Sequence, residues 1–113
     1  MPEVIRLKEL LAYQKQAIVS KTLVEKETGT VTLFAFDQEQ ALSEHTAPFD
    51  AMVLVIDGRA EVRIAGIPHV VGEGEMLVMP ANQSHALRAL TPFKMLLTMI
   101  RAGDKGKKAS GQA

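Results

Sequence analysis

The chain has 113 residues, 47% of them hydrophobic, with 13 basic and 13 acidic side chains and a formal net charge of +0. That size and composition support one core and one domain, and the neutral balance gives no broad electrostatic pull toward nucleic acid. With no cysteine, disulfides, thiolate metal sites and cysteine nucleophiles are excluded.

Residues 1–16 read as an N-terminal arm. Its first six residues lack the apolar stretch of a signal peptide, and Leu7-Lys8-Glu9-Leu10-Leu11 supports no more than a short helical turn. No apolar run reaches the roughly 18 residues of a spanning helix. The expectation is a cytoplasmic protein with no membrane partner.

From residue 17 to 101 the chain reads as strands and turns. Ala17 to Val24 mixes apolar and polar residues, and Glu27-Thr28-Gly29-Thr30 fits a hairpin turn. Thr30 to Phe36 is rich in branched and aromatic residues, a strand composition. Leu42 to His45 is a short strand, interrupted at Pro48. Ala51 to Ile56 is continuously apolar and predicts a central strand. Asp57-Gly58 predicts a hairpin turn. Arg59 to Ile64 alternates, placing Ala60, Val62 and Ile64 inward and Arg59, Glu61 and Arg63 outward.

Ala65-Gly66 turns the chain again, Ile67 to Val71 is a short strand, and Gly72-Glu73-Gly74-Glu75 is a tight loop. That loop lacks the helix and lysine of a phosphate loop. Met76 to Met79 is stopped by Pro80, and Ser84 to Leu90 precedes the last strand, Phe93 to Ile100. There Phe93, Met95, Leu97 and Met99 point inward, while Lys94, Leu96, Thr98 and Ile100 share the outward parity. Exposing Leu96 and Ile100 is costly in a monomer; an intersubunit sheet or an N-terminal segment would cover them, and a homodimer is expected. Residues 102–113, rich in glycine and lysine, predict a disordered tail. Eight or nine short strands with regular turns specify an all-β, jelly-roll barrel with little helix.

The punctuation of the middle carries a resemblance. Gly74, Pro80 and His85 recur at the spacing of the second motif of the cupin superfamily, with Asn82 at that motif's second glycine and Ala89 at its final asparagine. Asn tolerates the positive backbone dihedral that such a position needs. His45 matches the first histidine of the first motif, and Gly58 its closing glycine. Ala47 stands where that motif has a second histidine, and Ala51 where it has an acidic ligand. The chain thus resembles a small single-domain cupin with a degraded first motif. The resemblance implies a double-stranded β-helix barrel.

In that superfamily a metal is typically held by three histidines and one carboxylate, a set suited to iron, manganese, nickel, copper or zinc. Here the resemblance leaves His45 and His85 as metal candidates, with Asp50, Glu44 and Gln83 as further donors to test. Strand parity points Asp50 and Glu44 away from the cavity. The cofactor expectation is none, or a weakly bound divalent transition metal. A metal-free pocket is lined by His45, His85, Ala47, Ala51, Met95 and Phe93 and takes a small organic ligand. The alternative is a metal-dependent oxygenase, isomerase or lyase using the two histidines as a reduced ligand set.

Other residues carry less. His69 reads as a surface histidine. Met52, Met76, Met79, Met95 and Met99 fill a core or line an apolar pocket. Phe34 and Phe36 fit a core or a dimer contact. Thr46 and Phe49, with Glu44 and Asp50, lie around the expected mouth.

Overall fold

The computed structural model describes residues 3–102. The tail expected to be disordered lies outside the described residues, apart from Ala102. One helical turn, α1 (Leu7–Leu10), precedes nine strands: β1 (Ile18–Lys26), β2 (Gly29–Phe36), β3 (Ala41–His45), β4 (Phe49–Asp57), β5 (Arg59–Ile64), β6 (Ile67–Gly72), β7 (Met76–Met79), β8 (His85–Ala89) and β9 (Phe93–Arg101). They form a five-stranded sheet in the order β1-β2-β9-β4-β7 and a four-stranded sheet in the order β3-β8-β5-β6. Neighbouring strands pair antiparallel. The all-β jelly roll expected from the sequence is the fold.

The core forms where the inward sets of the two sheets meet. Phe36, Val53, Val55, Val62, Phe93 and Met95 are fully buried there. The rings of Phe36 and Phe93 lie 4.6 Å apart between centroids, close enough to add a specific aromatic contact to plain burial. Ile64 packs against the edge of this cluster.

Two sequence expectations are corrected. Asp57-Gly58 is not a hairpin turn. β4 pairs with β7 and β9, whereas β5 pairs with β6 and β8, so this step carries the chain from one sheet to the other. Gly58 has φ +76, and a Cβ there would meet the Pro92 carbonyl oxygen at 2.0 Å. The close crossing of β9's approach, rather than a two-residue turn, requires glycine. Two-residue hairpins lie instead at Ala65-Gly66, with Ile64 paired to Ile67 and both turn residues at positive φ, and at Glu27-Thr28, with Lys26 paired to Gly29.

The second correction concerns the exposure of Lys94, which keeps its outward parity but is covered. It is only 8% exposed. Its Nζ donates to the Lys8 carbonyl and sits 4.9 Å from the centre of the Tyr13 ring. Tyr13 in turn donates its hydroxyl to Asp57. The arm therefore lies across the outer face of the five-stranded sheet and shields the ammonium there. Burial and the nearby Asp57 carboxylate raise the Tyr13 pKa, keeping its phenol protonated as the donor.

Beyond the arm the same outer face stays apolar. The strand registers align Val24, Val31, Thr98, Met52 and Val78 in one row across all five strands. Ile100 is 51% exposed and Val78 46% exposed beside it.

Candidate functional site

His45 ends β3 and His85 begins β8, and the two are direct cross-strand partners. The β3–β8 ladder pairs Leu42 with Leu87, then His45 with His85, so β3 holds one residue more than β8 between the pairs. Such a bulge reverses the alternation of side chains. It lets Leu42 and His45, three positions apart, both line the same cavity. The imidazoles meet edge to face with centroids 4.4 Å apart.

Each ring is held by a carbonyl two residues before it. His45 Nδ1 lies 2.8 Å from the Ser43 oxygen, and His85 Nδ1 lies 3.2 Å from the Gln83 oxygen. A carbonyl only accepts, so Nδ1 carries the proton and donates. In the neutral rings both Nε2 atoms are left as acceptors. Burial first, and then the neighbouring His45, pushes the His85 pKa below its ordinary value, which favours the neutral ring.

The rest of the cavity is apolar. Ala47, Phe49 and Ala51 enter from the segment around the start of β4, and Met79 from the end of β7. Leu87 stands beside His85, and Met95, Leu97 and Met99 supply the floor from β9. The volume is about 60 Å³. A water needs roughly 10–15 Å³ by this kind of measure, so a few waters or one small molecule fit.

The cavity thus brings together His45, His85, Ala47, Ala51 and Met95. Phe93 sits behind it, packed on Phe36 and not among the lining residues. The methionines divide: Met79, Met95 and Met99 line the cavity, whereas Met52 and Met76 lie on the outer face. Leu42, Leu87 and Phe49 also line it. Leu42 follows from the bulge, Leu87 from the parity of His85 on β8 and Phe49 from the parity of Ala51 on β4. His69 is exposed on β6.

The four-ligand metal centre implied by the cupin resemblance lacks its other donors. Ala47 and Ala51 carry none. Asp50 is opposite Ile100 on the outer face and accepts a 2.9 Å hydrogen bond from the Ala81 amide. Glu44 accepts from the Ser84 hydroxyl. Gln83 is exposed and contributes its backbone carbonyl to His85. Among the described residues no group of three or more histidine, aspartate or glutamate side chains is placed to hold a metal. These residues do not fit the full centre.

The two motifs are joined at this mouth. Asn82 has φ +66, and its amide donates to the Ala47 carbonyl at 2.8 Å. The positive dihedral expected there turns the chain so that β8 starts beside β3.

A double-sheet barrel with a paired-histidine cavity between its sheets defines a jelly-roll protein of the cupin type. The model of the cupin domain matches residues 32–100, and the chain belongs to that family. It is similar to a conserved protein of unknown function from Streptococcus pyogenes, with 34% identity, TM-score 0.87 and coverage of 92% of this chain and 91% of that one. It is also similar to a cupin 2 conserved barrel domain protein from Leptotrichia buccalis, with 40% identity, TM-score 0.84 and coverage of 86% of this chain. The match spans 47% of the Leptotrichia chain. A cupin superfamily protein from Desulfitobacterium hafniense shares the fold at 22% identity and TM-score 0.84, over 89% of this chain and 93% of that one. No curated protein matches the chain. No helix among the described residues is long and apolar enough to cross a membrane.

Proposed function

We propose that this cupin binds a small organic ligand in its barrel cavity, without the three-histidine-one-carboxylate metal centre. The observation that carries the reading is the paired imidazoles at one end of an otherwise apolar cavity, with alanine at both positions where donors are missing. Such a cavity orients a ligand by a few polar contacts and holds it by apolar burial. The test is mass spectrometry of small molecules released on denaturing freshly purified protein. A stoichiometric organic compound is expected, and Ala47→Ile should abolish its retention by filling the cavity. Retention unchanged in that variant contradicts the reading.

A second reading has one specific observation in its favour. Both Nδ1 atoms are tied to carbonyls and, among the described residues, neither Nε2 has a partner; hydrogen bonds of this kind behind the ring orient metal-bound histidines. A metal-dependent enzyme with a reduced ligand set predicts that a divalent metal restores turnover and that both histidines are required.

The assembly we propose is a cytoplasmic homodimer. The apolar row Val24, Val31, Thr98, Met52 and Val78 supports a second copy packing on this sheet.

A further inference from the structure

Resting on the small-ligand reading above, we infer that the occupant is a neutral molecule smaller than benzene that donates a hydroxyl hydrogen bond to the His45–His85 pair. Four observations lead there. His85 is 6% exposed, and among the described residues nothing pairs with its Nε2. A buried acceptor left without a donor is costly. His45, exposed at the mouth of the cavity, offers a second Nε2 acceptor beside it, because its own Nδ1 is committed to Ser43. Every other lining side chain is apolar, so with both Nδ1 hydrogens committed to carbonyls the cavity offers acceptors and no carboxylate or further donor.

Those facts sort ligand heads by chemistry. A carboxylate or phosphate meets two lone pairs and no donor. An ammonium loses its hydration with no counter-charge to replace it. A ketone or ether brings only a third acceptor. A hydroxyl supplies the missing proton to an acceptor without burying a charge. The apolar wall of Met79, Met95, Leu97 and Met99 then receives the carbon skeleton. Size follows from the volume, since about 60 Å³ is well under the roughly 150 Å³ of an engineered cavity that holds benzene.

The probes are propan-2-ol, propanone and propanoate, which share a three-carbon skeleton smaller than benzene and differ in the head group. The full chain is titrated at pH 7.5, with imidazole nitrogen and methionine methyl resonances followed by NMR. Propan-2-ol is expected to shift the His85 Nε2 and Met95 methyl signals saturably, and to bind about tenfold tighter than propanone. Propanoate is expected to leave them in place, and Ala47→Ile to remove the response to the alcohol. Propanone or propanoate binding as tightly as the alcohol overturns the donor assignment while leaving a ligand pocket in place. No saturable binding by any of the three overturns both. An alcohol response that survives Ala47→Ile places binding elsewhere and overturns the inference.

Discussion

His45 faces His85 because β3 holds one extra residue between its pairings to β8. Without the bulge, Glu44 would stand opposite His85 and the imidazole of His45 would point away from the cavity. One residue of register thus decides whether the barrel contains a paired-histidine site. The same bulge explains why Glu44, adjacent in sequence, spends its carboxylate on Ser84 rather than on the cavity.

The core prediction concerns Phe93, fully buried against Phe36. Phe93→Ala should lower unfolding free energy by about 3–5 kcal/mol through lost burial and a residual cavity. Urea denaturation measures this. A loss under about 1 kcal/mol would mean that the ring is not a core anchor.

A backbone prediction comes from Ala65, which has φ +51 in the β5–β6 turn. The left-handed conformation costs a Cβ-bearing residue about 1–2 kcal/mol, part of which glycine returns by greater freedom when unfolded. Ala65→Gly should therefore stabilise the protein by about 0.5–1 kcal/mol. An unchanged or lower denaturation midpoint would contradict the strain.

Acid should weaken the fold through His85. Its pKa in the folded chain is held below the ordinary 6.5 by burial and then by His45. Between the two values the unfolded chain binds more protons, so stability is complete above 6.5 and falls as pH drops through it. His85→Gln should flatten that part of the profile, read as denaturation midpoints from pH 8 to pH 5. A slope unchanged by the substitution would assign the acid sensitivity to other groups.

The outer sheet face gives an assembly prediction. Met52 is central in the apolar row between Thr98 and Val78. Met52→Lys should raise the dimer dissociation constant roughly 100-fold by burying an unpaired charge. Sedimentation velocity across a concentration series reads this. A wild-type chain that stays monomeric would remove the dimer.

Much of this was legible in the sequence, for identifiable reasons. The alternation of Phe93, Met95, Leu97 and Met99 is a local pattern, and it gave their shared face. The spacing of Gly74, Pro80, Asn82 and His85 located half of the site. Asp57-Gly58 misled because the dipeptide reports local turn chemistry, while the sheet that β5 joins depends on distant partners. Lys94 misled for the same reason, since its cover comes from Lys8 and Tyr13 in the arm. The bulge before His45 has no glycine to announce it, so the place of Leu42 in the cavity is not legible, whereas Leu87 shares the parity of His85.

Whether the paired imidazoles work without a resident metal is decided by elemental analysis by mass spectrometry of freshly purified protein that has met neither a metal-affinity column nor a chelator. Far less than one transition metal per chain is expected, because two imidazoles without a carboxylate hold a divalent ion weakly. One retained metal per chain, lost in His45→Ala, would contradict the metal-free reading and make the reduced-ligand metal enzyme the better one.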